Sequence, residues 1–476
     1  MKKRVFITGA TGTMGIATLR EFKKRNPDNI EITVLARESK KNKKKLKPFL
    51  SLPGFRIIWG NLNNPADILL GVADAHYVLH LGGLVSPAAD YNPERTLKTN
   101  VGSAKHIADA VKQSGRADEI AVIYIGSIAQ LGDRRPPYHW GRTGDPLTPS
   151  MYDPYAISKI LAEKEIIDSG IPRWVSLRQT GILSPLILLK GTDPITFHVP
   201  LEGVLEWSTQ EDAGRLMVNI CTTALPDSFW NHFYNIGAGE SYRLTNYEFE
   251  CLILNALHLP SPHKIFSPNW FALKNFHGEW WADSDKLEQI IPYREGLSIE
   301  EYFSRLTKQL PFYFRLAFLA PGCIIKPFMK LIALKKPLGP LYWIKSQNKD
   351  RIRAAFGSLD RYKNIPSWKE LLPKLENIPL CRDNFEHAQK DDGALRLSHG
   401  YDESKPESEW DINDMNEKAS FHRGKCLSTT MGKGNLSTLL EWQCEHGHRF
   451  TASPAAVLLG GHWCPECLTG SQSFHD

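Results

Sequence analysis

The chain has 476 residues, of which 42% are hydrophobic and 23% charged, with a formal net charge of +6. The composition is that of a folded globular protein and excludes a disordered chain, and the length predicts two or three domains. The charge is small for this length and gives no indication of nucleic acid. No apolar run approaches the roughly 20 residues of a membrane span, and the N-terminus lacks the apolar core of a signal peptide. We therefore expect a cytoplasmic protein.

Short apolar strands alternate with helices over the first 180 residues. Strands that are apolar on both faces and separated by helices are typical of a parallel sheet covered on both sides. The sequence thus predicts an α/β fold with a doubly wound parallel sheet. The predicted strands are Val5–Ile7, Ile30–Leu35, Phe55–Trp59, Tyr77–Leu81, Ile120–Ile125 and Trp174–Leu177.

A glycine motif, Thr8-Gly-Ala-Thr-Gly-Thr-Met-Gly15, lies between the first strand and the first helix. Gly9 permits a tight turn, Gly12 lets the backbone approach a ligand closely, and Gly15 lets the helix pack on the strand. The N-terminus of that helix offers free N–H groups and a partial positive charge to phosphates. In this context the motif predicts a Rossmann domain that binds the pyrophosphate of NAD(P).

The residues after the second strand bear on cofactor choice. An NAD enzyme usually carries Asp or Glu there to hold the ribose 2′-hydroxyl. Here Arg37 follows the strand, with Lys40 and Lys41 beyond it. A guanidinium suits a 2′-phosphate, so we predict NADP(H) in preference to NAD(H). The alternative is that Arg37 is only a solvated cation.

Several further segments resemble the extended short-chain dehydrogenase/reductase (SDR) family, also called the NAD-dependent epimerase/dehydratase family. The resemblance covers roughly residues 1–310, and we expect the substrate-binding part mainly in residues 181–310. Two departures are Asn61 in place of the family's usual Asp and Gly126 in place of the first Ser of its usual pair. Besides the glycine motif, the matching segments are Gly60–Leu62, His80–Gly83, Asn100–Gly102, Ile125–Gly132 and Pro154–Lys159.

The last of these segments carries a Tyr-x-x-x-Lys signature, Tyr155 to Lys159. Four residues apart on a helix, the two side chains lie on one face. The Lys159 ammonium and the nicotinamide cation are expected to lower the phenol's pKa, which makes it a usable acid or base. The resemblance implies that Ser127 and Tyr155 hold the reacting oxygen and that Lys159 also contacts the nicotinamide ribose.

The resemblance also implies a set of cofactor-binding residues, a nicotinamide-end contact from Arg178 to Gly181, and a homodimer. The predicted cofactor-binding residues are Gly9, Thr11, Gly12, Thr13, Met14, Gly15, Arg37, Asn61, Leu62, Leu81, Gly82, Gly83, Asn100, Tyr155, Lys159, Gln179 and Thr180.

We therefore predict an NAD(P)-dependent oxidoreductase that acts on a carbonyl or alcohol. A nucleotide-sugar epimerase or dehydratase would use the same Ser-Tyr-Lys set and is the first alternative. A non-enzymatic NADP(H)-sensing protein is an alternative from another class, against which the Ser-Tyr-Lys set argues. In the segment before the catalytic helix, Arg134, Arg135 and Arg142 either bind a sugar-nucleotide diphosphate or lie in solvent.

Beyond residue 310 the character of the sequence changes. Residues 311–356 are apolar, basic and interrupted by prolines. We predict that this segment, part of a helical extension over 311–383, packs against the main domain; the alternative is contact with an anionic membrane surface. Residues 384–418 are polar and acidic, and we predict a linker there.

The remaining residues, 419–476, predict a zinc-ribbon-like domain. Cys444 and His448 are followed, after a spacer, by Cys464 and Cys467. This spacing indicates a tetrahedral Zn²⁺ site with four protein ligands, hence structural and not catalytic. His446 or His462 could replace His448, and Cys426 could be a further ligand or a buried thiol. The few basic residues nearby give only weak indication of nucleic-acid contact.

Overall fold

The computed structural model describes residues 2–187, 193–310 and 322–470. Its centre is a seven-stranded sheet in the order β11-β7-β5-β4-β1-β2-β3, in which every neighbouring pair is parallel. The predicted α/β fold is confirmed. The seven strands are β1 (Lys3–Thr8), β2 (Ile30–Ala36), β3 (Arg56–Trp59), β4 (Tyr77–His80), β5 (Ala121–Ser127), β7 (Trp174–Gln179) and β11 (His232–Ile236).

Helices cover both faces of this sheet, and two apolar clusters fill the space between sheet and helices. The order of connections reverses between β1 and β4, so the loops after these strands diverge and leave a crevice at their carboxyl ends. The covering helices are α1 (Thr13–Arg25), α2 (Lys40–Leu46), α3 (Pro65–Val72), α4 (Pro93–Gln113), α5 (Pro154–Ile167), α6 (Gln210–Thr222) and α9 (Ser284–Ile290).

A smaller part sits over the crevice and has its own apolar clusters. It is built from short strands and helices of residues 182–310, and helix α11 (Gly322–Ala333) packs against them. Its strands are β8 (Ile182–Leu183), β9 (Val204–Glu206), β10 (Ser208–Thr209) and β12 (Arg243–Thr245); β6 (Trp140–Gly141) pairs with β13 (Trp280–Trp281) beside it. Its helices are α7 (Asn246–Ala256), α8 (Pro262–Ile265) and α10 (Ile299–Lys308).

Of the predicted basic apolar segment, residues 311–321 lie outside the described residues. The rest is helical and contributes Met329, Ile332 and Ala333 to the apolar cluster of the smaller part. Ile324, Phe328 and Leu331 are exposed. No helix in the described residues is long and apolar enough to cross a membrane, and contact with a membrane surface stays a prediction. The helices are α11 (Gly322–Ala333), α12 (Pro340–Lys345), α13 (Lys349–Phe356), α14 (Leu359–Lys363) and α15 (Trp368–Leu375).

Residues 384–418 differ from the linker that their composition predicts. They contain α16 (Phe385–Asp391) and most of α17 (Ile412–Phe421). Phe385 packs edge-on against Trp140, and His399 is buried with its Nε2 2.9 Å from an Asp145 carboxylate oxygen. A few aromatic and histidine anchors hold this polar segment on the sheet domain. The average composition of the segment does not indicate these few anchoring residues.

The C-terminal unit is a three-stranded antiparallel sheet of β14 (Lys425–Cys426), β15 (Leu440–Gln443) and β16 (Arg449–Ala452), followed by α18 (Pro465–Gly470). Trp442 and Phe450 lie in its core. The unit docks on the sheet domain, because Ala455 and Ala456 belong to the apolar cluster that contains Val122 and Ile166.

Candidate functional site

The glycine loop forms the tight turn that its sequence predicts. Gly9 has φ +70°, and a Cβ there would meet the Leu81 and Gly82 backbone at 2.6 Å. A Cβ on Gly15 would lie 2.3 Å from the Gly9 carbonyl oxygen. No side chain caps the start of α1 at Gly12. The first N–H groups of α1 therefore stay available for an anionic ligand.

Basic side chains surround the crevice beyond β2. Arg37 is exposed, and it lines the crevice together with Lys41 and Lys45. The Lys45 ammonium donates to the Thr11 carbonyl oxygen at 2.7 Å and so connects α2 to the glycine loop. Glu38, which sequence reasoning passed over, also lines the crevice and pairs with Lys43.

Asn100 is the one predicted cofactor-binding residue that does not line the cavity. It is buried in α4, where its side-chain oxygen accepts from Leu84 N–H at 2.7 Å and its amide donates to the Leu84 carbonyl at 2.9 Å. The amide also donates to the Ser158 hydroxyl on α5. Asn100 thus fixes the Gly82–Leu84 loop and joins it to the helix that carries Tyr155.

Ser127 ends β5, and Gln130 determines its local conformation. The Gln130 side-chain oxygen accepts from Ser127 N–H at 2.6 Å, and the Ser127 hydroxyl accepts from Ala129 N–H at 3.2 Å. These bonds satisfy backbone donors at the end of the strand. Ser127 is buried and lines the same cavity as Tyr155 and Lys159.

Tyr155 and Lys159 lie on α5, and burial shifts the pKa of each side chain in the direction that favours its neutral form. Burial raises the pKa of the Tyr155 phenol to about 12, against the opposite effect of the Ser127 hydroxyl. Burial lowers the pKa of the Lys159 ammonium to about 8, against the opposite effect of Glu163. Burial of the Tyr155 phenol thus opposes the predicted lowering of its pKa, because desolvation favours the neutral phenol.

At the end of β7, Gln179 and Thr180 line the cavity, but Arg178 does not. The Gln179 amide donates to the Ser208 hydroxyl at 2.6 Å, whereas its buried side-chain oxygen has no partner among the described residues. A free acceptor at this position fits the amide donor of a nicotinamide carboxamide. The expected nicotinamide contact from Arg178 is wrong, since its side chain points into the protein.

Arg178 instead belongs to a buried cluster around Glu163, one turn beyond Lys159 on α5. The Arg178 guanidinium donates to both Glu163 carboxylate oxygens, at 3.2 and 2.9 Å, and to the Gly460 carbonyl. Gln130 also donates to Glu163, at 2.9 Å, and His462 Nε2 lies 2.8 Å from the same oxygen. Arg178 and His462 hold the pKa of Glu163 well below its usual range although burial opposes them.

This cluster explains the departure at Gly126. A Cβ there would lie 2.7 Å from the Gln130 side-chain oxygen and 3.0 Å from Glu163 Oε1. The space that a serine side chain would need is filled by the cluster. Sequence reasoning missed Glu163 because one of its partners, His462, lies 299 positions away.

One continuous cavity of about 1230 Å³ joins the glycine loop, Ser127, Tyr155 and Lys159 to the smaller part of the fold. Its two halves differ in chemistry. The half under the glycine loop has backbone and the basic side chains Arg37, Lys41 and Lys45 in its lining, together with apolar side chains such as Leu35 and Leu62. The half formed by residues from 182 onward is lined largely by apolar side chains, and the part of it that the structure describes carries neither Lys nor Arg.

The arginines of the segment before α5 bind protein groups. Arg134 donates to the Pro146 carbonyl and lies 3.8 Å from Glu279, and Arg135 bonds Asp133 and the Leu273 carbonyl. Arg142 pairs with Glu403 and donates to the Leu397 carbonyl. Of the three, only Arg134 lines the cavity. The sequence left two alternatives for these arginines, a diphosphate ligand or solvent. Arg135 and Arg142 instead bind other groups of the protein.

In the C-terminal unit, Cys444, His448, Cys464 and Cys467 place four ligand atoms within 4.8 Å of one another. Cys444 Sγ lies 3.6 Å from Cys467 Sγ and 3.4 Å from His448 Nδ1. Metal–ligand bonds of roughly 2.3 Å to sulfur and 2.0 Å to nitrogen produce separations of this size at tetrahedral angles. His462 bonds Glu163 and Cys426 contacts Ser428, so neither joins the group, whereas His446 Nδ1 lies 3.4 Å from Cys467.

Comparison with known proteins agrees with the fold and the motifs. Residues 5–171 match the model of the NAD dependent epimerase/dehydratase family. This match confirms the resemblance found in the sequence for residues 5–171.

Among curated proteins, the chain is 25% identical over 278 residues to methionine adenosyltransferase 2 subunit beta of Danio rerio, which covers 55% of this chain and 76% of that protein. It is 26% identical over 191 residues to 3 beta-hydroxysteroid dehydrogenase type 7 of Homo sapiens. That second match spans 37% of this chain and about half, 49%, of the relative.

Among solved structures, dTDP-glucose 4,6-dehydratase from Bacillus anthracis in complex with NAD is similar, with a TM-score of 0.51 at 15% identity. The similarity covers 64% of this chain and 96% of the dehydratase chain. At this identity the likeness establishes the extended SDR fold alone.

Proposed function

Because residues 5–171 match the NAD dependent epimerase/dehydratase family, we propose that the protein is an NAD(P)-dependent oxidoreductase that interconverts a carbonyl and an alcohol. One observation carries the proposal. Ser127, Tyr155 and Lys159 line the same cavity as the glycine loop, and so does Gln179 at the end of β7, whose buried side-chain oxygen has no partner among the described residues. A dinucleotide with its pyrophosphate on α1 fits this arrangement.

Each residue has a defined task in this reaction. The glycine loop and the first turn of α1 would hold NAD(P)H, which would supply the hydride for reduction of the carbonyl carbon. Ser127 and Tyr155 hydrogen-bond the carbonyl oxygen, and the Tyr155 phenol donates its proton to that oxygen as it becomes an alkoxide. The Lys159 ammonium stabilises the resulting phenolate, and the same proton returns to Tyr155 in alcohol oxidation.

The test of this role is Tyr155→Phe, with Tyr138→Phe, on the exposed loop before β6, as the matched control. Loss of the phenol removes the proton donor, and we expect kcat to fall about 10²- to 10⁴-fold. Cofactor affinity, measured by fluorescence titration, should stay unchanged. Near-normal turnover by Tyr155→Phe would refute the assignment.

For the cofactor, we propose NADP(H) in preference to NAD(H). Arg37, Lys41 and Lys45 support it, because they form a basic rim where a 2′-phosphate would lie. Glu38 favours a ribose 2′-hydroxyl, but its pairing with Lys43 engages the carboxylate. We expect Kd for NADPH below that for NADH and a reversal of this order in Arg37→Ala. Tighter binding of NADH by the unaltered protein would contradict the proposal.

A nucleotide-sugar epimerase or dehydratase is the second candidate, supported by the dTDP-glucose 4,6-dehydratase fold likeness. Such enzymes return the hydride to the substrate and consume no net cofactor. Incubation with dTDP-glucose or UDP-glucose and catalytic cofactor, followed by chromatography of the sugar, separates the two candidates. A new sugar without net cofactor oxidation would favour the second.

We also propose that Cys444, His448, Cys464 and Cys467 hold one structural Zn²⁺. The four ligand atoms and their separations support this, since a set of three thiolates and one imidazole leaves no open position for substrate. Metal analysis of the purified protein should find one zinc per chain. Stoichiometric absence of zinc would contradict the proposal.

A further inference from the structure

The outer half of the cavity differs from what a sugar nucleotide needs. Among the described residues from 179 onward, which leave out 188–192 and 311–321, the lining contains no Lys or Arg. A diphosphate in a protein site is normally neutralised by cations or by a helix N-terminus. Among the arginines of the segment before α5, Arg135 bonds Asp133 and Arg142 bonds Glu403. Arg134 lines the cavity from outside this half, where it donates to the Pro146 carbonyl and lies 3.8 Å from Glu279.

The apolar wall begins next to the reacting groups. The Trp207 indole packs on Gly181, where an added Cβ would meet the ring at 2.6 Å. Gly181 is two residues from Gln179, at the nicotinamide end of the site. Trp207 stacks in turn on Phe249 of α7, with ring centroids 4.0 Å apart. A substrate carbonyl held by Ser127 and Tyr155 would therefore extend its remainder over aromatic surface.

The wall continues along α7 and α11 to the protein surface. Ile253 and Leu257 line the cavity from α7, and Met329 lines it from α11. Phe328 lines the cavity and is 52% exposed. Val85, on the loop after β4, also lines the cavity and is 55% exposed. The cavity thus opens through an apolar rim. Removal of apolar surface from water is the main driving force that such a lining offers a ligand.

A single carboxyl interrupts this wall. Glu250 of α7 lines the cavity and is 7% exposed. Its carboxyl has no hydrogen-bond or ion-pair partner within residues 2–187, 193–310 and 322–470. Burial raises its pKa to about 8, so it is mostly protonated at neutral pH and can donate a hydrogen bond.

We infer that the substrate of the proposed oxidoreductase is a long or polycyclic apolar carbonyl compound or alcohol, with a second hydroxyl or carbonyl group that reaches Glu250. The inference rests on the proposed function for the reacting end. It adds the chemistry of the rest of the substrate molecule, which the outer half of the cavity recognises by apolar contact and one hydrogen bond.

The first experiment measures NADPH oxidation with butanal, octanal and dodecanal as substrates. A parallel incubation of UDP-glucose with catalytic oxidised cofactor is followed by chromatography of the sugar, because that reaction consumes no net cofactor. Transfer of one methylene into an apolar site changes affinity about fourfold. We expect kcat/KM to rise steeply with chain length and then level off when the cavity is filled, with no turnover of UDP-glucose. A flat series, or turnover of UDP-glucose with dodecanal inert, would overturn the substrate class while leaving the hydride-transfer function standing.

Two variants locate the effect. Ile253→Trp fills the outer half and should remove the gain of dodecanal over butanal, whereas Ile253→Val should retain it; butanal turnover reports that the reacting end is intact. If Ile253→Trp handles both aldehydes like the unaltered enzyme, the chain does not lie along α7, and the inference is wrong. Inactivity of the unaltered enzyme toward every aldehyde and every sugar nucleotide would instead indicate failure of the proposed function.

Glu250 is tested with aldehydes of 8 to 14 carbons that carry a terminal hydroxyl. At the length that reaches Glu250, the hydroxyl should improve Kd, measured by calorimetry with cofactor-saturated Tyr155→Phe, by about tenfold over the parent aldehyde. Glu250→Leu should abolish this gain and leave the parent aldehyde's Kd unchanged or improved, and Glu250→Gln should retain part of it. An equal gain in Glu250→Leu, or no gain at any length, would remove Glu250 from the recognition of substrate.

Discussion

The two ends of helix α5 contact different parts of the molecule. The first turns carry Tyr155 and Lys159 to the cavity, while the last turns carry Glu163, Lys164 and Asp168 to the C-terminal unit. Lys164 donates to the Thr451 carbonyl, and Asp168 accepts from Ser453 N–H. The first end is shared with a large enzyme family. The second end is stabilised by a unit outside the region that resembles that family. The helix that carries Tyr155 and Lys159 is therefore supported at its far end by the C-terminal unit.

The largest expected effect comes from the metal ligands. Cys464→Ser removes one of four ligands, and structural zinc contributes roughly 10–16 kcal/mol of apparent binding free energy in small zinc units. We expect loss of zinc, unfolding of residues 419–470 and a clear fall in Tm. Turnover should fall about 10- to 100-fold, because loss of Gly460 and His462 lets α5 shift.

Cys426→Ser is the matched control, since Cys426 lies outside the four-ligand group. It should leave zinc content, Tm and turnover unchanged. If Cys464→Ser loses its zinc but retains full turnover, the two ends of α5 are independent and the comparison fails.

The next effect is expected from the buried ion pair. Glu163→Gln leaves the fully buried Arg178 guanidinium without its counter-charge, which typically costs about 3–5 kcal/mol. Urea unfolding should report this loss of unfolding free energy. The control is Glu165→Gln, on the same helix but exposed, for which we expect a change of no more than about 0.5 kcal/mol.

A smaller effect is expected at the contact between the two units. His462→Ala removes one partner of Glu163, whose carboxylate keeps Arg178, Gln130 and Ser176. The loss should be about 1–3 kcal/mol, less than for Glu163→Gln. Equal losses in the two variants would mean that the cluster acts through His462 and not through Arg178.

The smallest effect is expected at the cavity end of α5. It is measured as the pH dependence of kcat/KM. The pKa of Lys159 is about 8, so its charge is present below pH 8 and is lost as pH rises. We expect kcat/KM to fall about tenfold per pH unit above that value, because the phenolate loses its counter-charge. Tyr155, with a pKa of about 12, stays protonated there. In Lys159→Arg the charge persists, and an unchanged alkaline limb in that variant would exclude Lys159 as its cause.

Much of the first 180 residues follows from sequence because its signals are local. The strand pattern, the glycine loop and the four-residue spacing of Tyr155 and Lys159 depend on neighbours along the chain. The four metal ligands also come from spacing. What sequence misses is non-local: the inward turn of Arg178, the packing of residues 384–418, and the crowding at Gly126. Each depends on a partner from a distant part of the chain, and periodicity carries no information about such partners.

The docking of Ala455 and Ala456 into the cluster of Val122 and Ile166 has a consequence for synthesis of the chain. A ribosome makes the sheet domain first and these two residues near the end. Until they emerge, the outer face of α5 lacks its cover and Arg178 lacks the Gly460 carbonyl. The nascent sheet domain therefore leaves part of an apolar face and the buried Glu163–Arg178 pair without this cover until residues 455–462 have been made.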